Sequence, residues 1–122
     1  MKRVVITGMG VISPIAKDIT TYWNSLQNGV LGISEITSIP TDELVVKIAG
    51  EVKDFKPEDF GVDKDMARRA DLFTQYAMAA AQQAMTDSKL SVNPERLGVY
   101  IGSGIGGIKT FHNEHTKILQ NG

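Results

Sequence analysis

The chain has 122 residues, enough for one domain, and its 42% hydrophobic and 22% charged content is ordinary for a globular protein. Lys and Arg number 13 against 14 Asp and Glu, so the net charge of −1 provides no global attraction to nucleic acid or to an anionic membrane. Cysteine is absent, which excludes disulfides, thiolate catalysis and sulfur-ligated metal within these residues.

The N-terminal segment predicts a buried strand, a turn and a helix. Residues 3–7 are a β-branched run typical of a buried strand, and Gly8-Met9-Gly10 predicts a tight turn after it. Asp18 can cap the next helix, which Asn28-Gly29 would end. The apolar residues of this helix recur at helical spacing: Ile19, Tyr22, Trp23 and Leu26.

The middle of the chain is dominated by one long predicted helix. Residues 32–40 predict a loop, residues 45–52 a short strand, and residues 55–65 a surface loop with a helical turn. Residues 66–88 contain mostly helix formers and no Gly or Pro. The part at residues 76–81 is apolar nearly all round, which predicts a buried helix whose alanines let neighbouring backbone approach closely.

The C-terminal segment repeats the strand and helix pattern. Residues 93–96 predict a turn, residues 97–101 a second buried strand, residues 102–107 a glycine-rich turn, and residues 108–120 a final helix. Strands that alternate with helices predict an α/β layered fold around a largely parallel sheet.

Neither membrane insertion nor secretion is expected. No apolar run approaches the roughly 20 residues of a membrane span. The apolar stretch behind Lys2 and Arg3 contains Gly8, Gly10 and Pro14, so it is too short and too glycine-rich for a signal-peptide core. We therefore expect a cytoplasmic protein.

The glycine-rich turn has two interpretations. Gly102, Gly104 and Gly107 form the G-x-G-x-x-G spacing between a predicted strand and a helix, as in dinucleotide-binding domains. However, the motif follows the third predicted strand instead of the first, and no acidic residue lies about 20 positions further on. The alternative is a turn whose small residues permit close packing. A phosphate-binding P-loop is excluded because Ile108 separates Gly107 from the lysine that follows.

Two clusters of side chains are candidates for binding. His112 and His115 share a helix face, but a third metal ligand would have to come from elsewhere, so solvated histidines are expected. Lys64, Arg68 and Arg69 lie around the start of the long predicted helix and would suit an acidic partner. The positive end of a helix dipole is unfavourable for cations, and a mixed-sign solvated surface is the alternative interpretation.

Five stretches of the chain carry a family resemblance. They are residues 3–14 (RVVITGMGVISP), 53–55 (KDF), 67–71 (ARRAD), 73–77 (FTQYA) and 96–107 (RLGVYIGSGIGG). Together they resemble the β-ketoacyl-acyl-carrier-protein synthases, in the order found in that family and over about the first third of its length. The chain departs from the family pattern in two places. It has Ala16 where the family usually has glycine, and Asp65 lies near a position where relatives often carry a basic residue.

The resemblance implies a thiolase-like fold, a homodimer and a decarboxylating Claisen condensation without a cofactor. It implies a cysteine nucleophile at a helix N-terminus and two histidines that assist decarboxylation of malonyl-carrier protein. All three match family positions beyond Gly122, so no catalytic residue is expected here, and His112 and His115 do not correspond to the catalytic histidines. We predict that residues 1–122 form one incomplete condensing-enzyme domain, the N-terminal portion of a thiolase-like domain.

The resemblance also implies two binding surfaces. Gly104, Ile105 and Gly106 resemble the loop at the acyl pocket, where Ile105 would press on the fatty chain near the dimer contact. Lys64, Arg68 and Arg69 resemble the basic surface that docks the acidic acyl carrier protein. Two other hypotheses remain: a nucleotide-binding domain that uses residues 102–107, and a non-catalytic scaffold or dimerisation module.

Overall fold

A computed structural model of the protein describes residues 3–122. Within this part of the chain, helices predominate and the sheet is small, an α/β composition. In chain order the elements are α1 Ile19–Gln27, β1 Ser34–Glu35, β2 Ile48–Ala49, a 3₁₀ turn Pro57–Phe60, α2 Lys64–Arg69, α3 Leu72–Ser88, a 3₁₀ turn Pro94–Arg96 and α4 Ile108–Asn121.

The first helix confirms the sequence prediction. An oxygen of Asp18 accepts a hydrogen bond of 2.8 Å from the Thr21 amide, which caps α1. This bond is the main reason that the pKa of Asp18 lies below its usual value. At the other end Gly29 adopts φ +63°, a left-handed conformation that suits glycine after a helix.

The sheet differs from the predicted one. β1 and β2 pair antiparallel, with Ser34 opposite Ala49 and Glu35 opposite Ile48. β2 lies inside the predicted strand at residues 45–52, whereas β1 lies in a segment predicted as a loop. Residues 3–122 contain no parallel pair of strands, so the mostly parallel sheet is not confirmed.

The predictions of buried strands at residues 3–7 and 97–101 are wrong for the described structure. Neither segment forms a strand, and Val4, Ile6 and Tyr100 are 94%, 84% and 98% exposed. A strand forms only where a neighbour offers its amide and carbonyl groups, and no described element supplies that edge. Periodicity identified apolar segments correctly but did not establish that a partner lies beside them.

The predicted helix at residues 66–88 is divided into α2 and α3. Ala70 and Asp71 separate them with ψ angles of 137° and 156°, which are not helical. Only Ala79 of α3 is completely buried, at 0% exposure. The other side chains of α3 are partly or fully exposed, so the predicted burial all round is wrong for the described residues.

Close backbone packing against α3 is confirmed. A Cβ atom added to Gly8 would overlap the Ala84 carbonyl oxygen, and one added to Gly10 would overlap the Ala80 carbonyl oxygen. Gln83 reinforces this contact, since its side-chain amide donates to the carbonyl of Val11 at 3.3 Å and accepts from the Val11 amide at 3.3 Å. The segment that was predicted as a turn thus lies directly on α3.

Aromatic rings pack the loop after β2 onto α3. The Phe55 ring stacks on Phe60 at 5.5 Å between centroids and meets Tyr76 edge-on at 4.8 Å. Phe60 ends the 3₁₀ turn, which confirms the helical turn predicted in this loop. Gly61 follows at φ +73°, and the next residue, Val62, is 4% exposed. This packing holds the segment that leads into α2.

Candidate functional site

The basic helix α2 is positioned by a cap at its start. Oδ1 of Asp63 accepts hydrogen bonds of 3.0 Å from both the Asp65 and the Met66 amides. Arg68 and Arg69 occupy the last turn of this separate helix, where exposed carbonyls make a positive charge favourable. Because the helix breaks after Arg69, Arg68 and Arg69 lie at a negative helix end, whereas Lys64 remains at the start of α2.

The bases of α2 are accessible to a partner. Lys64, Arg68 and Arg69 are all exposed. The guanidinium of Arg68 lies 3.9 Å from Asp65, and the two side chains are 72% and 80% exposed. An ion pair this exposed contributes about 0–1 kcal/mol, so Asp65 does not prevent Arg68 from binding elsewhere.

Gln75 attaches the end of α2 to α3. Its side-chain nitrogen donates to the carbonyls of Ala67 and Ala70 at 2.8 and 2.9 Å. The last carbonyls of a helix lack partners within the helix, so Gln75 satisfies groups that the break leaves open. Sequence reasoning missed the break. The available signal was Asp71, because Asp favours helix N-caps over helix interiors.

The predicted acyl-pocket loop lies immediately before α4. Gly106 adopts φ +74°, and its amide donates to the Ser103 hydroxyl at 3.0 Å. Ile105 is 76% exposed. The structure therefore describes a tight turn that presents an apolar side chain, and the role of Gly104, Ile105 and Gly106 in an acyl pocket stays a prediction.

This loop contacts the junction between α2 and α3. The Asp71 carboxylate accepts a hydrogen bond from the Thr110 hydroxyl and lies so close to Gly107 that a Cβ atom there would overlap it. The Phe73 ring lies 3.9 Å from the position that a Cβ of Gly106 would take. Sequence reasoning did not identify Asp71 as a contact to this loop, because the two segments are distant in the chain.

The same contact disfavours the dinucleotide interpretation. A pyrophosphate would bind at the N-terminus of α4, where the Asp71 carboxylate already places a negative charge. In addition, residues 97–101 do not form the strand that should precede the motif. The close contact at Gly107 instead supports the packing role of these glycines.

The two histidines lie exposed on α4. The ring of His115 stacks with Phe111 at 6.1 Å between centroids. Within residues 3–122, no group of three or more His, Cys, Asp or Glu side chains is arranged to hold a metal. His112 and His115 therefore have no third ligand among the described residues.

Two open clefts lie beside α3. The larger, of about 630 Å³, includes Met9, Phe60 and three aspartates. Two of these carboxylates make structural bonds, since Asp18 caps α1 and Asp87 accepts from the Met9 amide at 3.0 Å. The second, of about 470 Å³, includes Glu51 and Tyr76. Burial, and then the charge of Glu51, raises the pKa of Tyr76.

Comparison with known families decides the identity of the chain. The family model described as "Beta-ketoacyl synthase, N-terminal domain" matches residues 1–121. The chain belongs to the β-ketoacyl synthase family. The resemblance in the five sequence stretches is thereby confirmed.

Curated relatives agree with this assignment. The chain is 50% identical over 124 aligned positions to "3-oxoacyl-[acyl-carrier-protein] synthase 2" of Staphylococcus aureus (strain COL), covering 99% of this chain and 30% of that protein. It is 41% identical to the protein of the same name from Synechocystis sp. (strain ATCC 27184 / PCC 6803 / Kazusa), with the same coverage. The chain thus spans about a third of the length of these relatives.

A solved structure supports the fold. The chain superposes on "The ishigamide ketosynthase/chain length factor" with a TM-score of 0.77 and 30% identity, covering 95% of this chain and 29% of that one. The thiolase-like class is therefore supported by a ketosynthase of known structure. No helix within residues 3–122 is both long and apolar enough to cross a membrane.

Proposed function

We propose that the chain is the N-terminal part of a 3-oxoacyl-[acyl-carrier-protein] synthase of fatty-acid synthesis. The observation that carries this proposal is 50% identity over 99% of the chain to a protein of that name. The agreement in backbone with a ketosynthase, at a TM-score of 0.77, supports it independently. We include a cytoplasmic location and a homodimer in the proposal.

The proposed reaction is an acyl transfer followed by a decarboxylating condensation. A cysteine thiolate takes the acyl group from its carrier protein, and the carrier thiol leaves. Malonyl-carrier protein then loses carbon dioxide, and the resulting enolate attacks the acyl-enzyme. The new carbon–carbon bond yields 3-oxoacyl-carrier protein and frees the cysteine. In this proposal sequence beyond Gly122 provides the cysteine and two histidines, and no cofactor takes part.

Within this proposal α2 is the docking surface for the acyl carrier protein. Its three bases are exposed, and two lie where the helix carbonyls favour positive charge. Each exposed ion pair with an acidic carrier would contribute about 0.2–1 kcal/mol, so docking would be weak and salt-sensitive. A carrier that must leave in each cycle requires such reversible binding.

The reaction can be tested on the polypeptide that carries this chain together with the cysteine and histidines. With acyl-carrier protein and malonyl-carrier protein, we expect stoichiometric carbon dioxide release and 3-oxoacyl-carrier product by mass spectrometry. Replacing the cysteine with alanine should abolish acyl transfer, and residues 1–122 alone should be inactive. A folded polypeptide that contains the cysteine and forms no product would refute the proposed enzyme. A polypeptide without that cysteine would favour the scaffold hypothesis.

A further inference from the structure

Asp71 connects the basic helix to the glycine-rich loop. It holds the N-cap position of α3, directly after Ala70 ends α2, yet its side chain makes no capping hydrogen bond to α3. Its carboxylate instead accepts from the Thr110 hydroxyl in the first turn of α4 and contacts Gly107. The side chain therefore serves the start of α4 and not its own helix.

The first turn of α4 and its N-cap contain no acidic residue. The N-cap is Gly107, which has no side chain to accept a hydrogen bond. The first amides of a helix have no partners within the helix and carry partial positive charge. Asp71 places its carboxylate at this end of α4 from a distant part of the sequence, through its hydrogen bond with Thr110.

Packing holds the loop in the same place. A Cβ atom on Gly107 would overlap the Asp71 carboxylate, so glycine lets this side chain approach the backbone closely, and the Phe73 ring lies next to Gly106. On the other side of the turn, the Ser103 hydroxyl accepts from the Gly106 amide at 3.0 Å. The loop that carries Ile105 is thus anchored to the junction between α2 and α3.

We propose that Asp71 is a positioning residue for the acyl pocket, which acts through Thr110 and Gly107 to fix the loop of Gly104, Ile105 and Gly106. The inference rests on the proposed function, because the loop touches an acyl chain only in a condensing enzyme. In this role Asp71 acts through the loop and not on the substrate itself. Replacement of Asp71 should therefore change the KM for the acyl donor and leave the KM for malonyl-carrier protein unchanged.

Hydrogen exchange by mass spectrometry on the full polypeptide that carries the chain tests the positioning directly. Asp71→Ala and Thr110→Val should each accelerate amide exchange at residues 102–110 by roughly two- to thirtyfold, the range expected for loss of a helix cap. Asp71→Asn should restore part of the protection, because its side-chain carbonyl still accepts from Thr110 although the negative charge is lost. Glu114→Gln is the matched control, since it removes from α4 a carboxylate that bonds to Lys117 and, within residues 3–122, does not contact the loop.

Steady-state kinetics on the same variants test the link to the acyl pocket. Asp71→Ala should raise KM for long acyl donors more than for short ones, with KM for malonyl-carrier protein unchanged. An equal rise in KM for every acyl donor would overturn the role of Asp71 in the acyl pocket. Unchanged amide exchange in Thr110→Val would overturn the positioning role, even if Asp71→Ala did not fold. If the wild-type polypeptide has no condensing activity, the proposed function is refuted. The amide exchange rates at residues 102–110 then decide by themselves whether Asp71 fixes the loop.

Discussion

Two glycines of the chain differ sharply in what surrounds them. Gly10 lies against α3, where an added Cβ would overlap the Ala80 carbonyl and lie 2.8 Å from the Cβ of Gln83. Gly102 has nothing within 4 Å of its would-be Cβ atom. Neither glycine has a positive φ, so the difference between them is steric and not conformational.

This difference predicts that the same substitution lowers the stability at Gly10 but has little effect at Gly102. Gly10→Ala should lower the free energy of unfolding by about 1–3 kcal/mol, because backbone must shift to admit the methyl group. Gly102→Ala is the matched control and should change it by less than about 0.5 kcal/mol. Urea unfolding of the polypeptide that carries the chain measures both. Equal effects of the two substitutions would show that the N-terminal segment does not pack on α3 in this way.

Glu51 joins the ends of the two strands through hydrogen bonds. One carboxylate oxygen accepts from the amide and hydroxyl of Thr37 at 2.8 and 2.9 Å, and the other accepts from the Ser38 amide at 3.0 Å. Hydrogen bonds from Ser38, and then from Thr37, lower the pKa of Glu51 from 4.5 to about 2. Only the charged form is stabilised in this way.

The lowered pKa predicts a pH-dependent contribution to stability. A carboxylate with a depressed folded-state pKa stabilises the fold above its unfolded pKa, and this is lost as the pH falls through the folded value. The difference in unfolding midpoint between wild type and Glu51→Gln should therefore disappear between about pH 4.5 and 2. Glu43→Gln, at an exposed site between the strands, is the control. A difference independent of pH would contradict the assignment.

At the scale of elements, the separation of α2 from α3 places the basic residues. The break places Arg68 and Arg69 at a helix C-terminus, and Gln75 holds that end on α3 through two carbonyls. A continuous helix would have placed the same bases near the positive end of its dipole. The local break therefore determines the electrostatic character of the candidate docking surface.

Binding of the acyl carrier protein should depend on α2. Alanine at Lys64, Arg68 or Arg69 should each weaken binding about 1.5- to 5-fold, and the loss should shrink as salt is added. Lys117→Ala on α4 is the matched control, an exposed base that pairs with Glu114. Fluorescence anisotropy of labelled carrier at low and high salt measures Kd. A control that weakens binding as much as the α2 variants would place the docking surface elsewhere.

The whole molecule exposes more surface than a self-contained domain of its mass. Its accessible area is 10,218 Å², whereas a compact monomer of 13.3 kDa has about 6,500 Å². The fully buried apolar residues are few, and much of the exposed area is apolar: Val4, Ile6, Val45, Val99 and Tyr100 are among the large exposed side chains. Such a surface favours further association.

Residues 1–122 expressed alone should therefore associate with themselves or aggregate. The apolar surface and the unpaired segments at residues 3–7 and 97–101 favour contacts between copies. Sedimentation velocity should show concentration-dependent oligomers, and a hydrophobic dye should bind strongly. A monomer that unfolds cooperatively would contradict the prediction. Val4→Lys together with Val99→Lys should reduce the association, whereas Lys substitutions of exposed polar residues on α4 should not.

The sequence by itself determined where most of the helical residues lie and which family the chain belongs to. The cap at Asp18, the glycine at position 29 and the helix formers after Leu72 are local signals, and the structure follows them because capping and helix propensity act over a few residues. The five matching stretches also identified the family, which the comparisons confirm. The basic residues were selected from their clustering in the sequence and from the resemblance, and the acyl-pocket loop was assigned its role from the resemblance.

Only the tertiary structure decided which of these segments meet. It separated α2 from α3, left residues 3–7 and 97–101 without strand partners, and brought Asp71 to the start of α4. Strand pairing and the contact of a carboxylate with a distant helix depend on groups far apart in the chain, and periodicity records only neighbours. The roles proposed for Asp71 and α2 therefore follow from packing that the linear pattern does not encode.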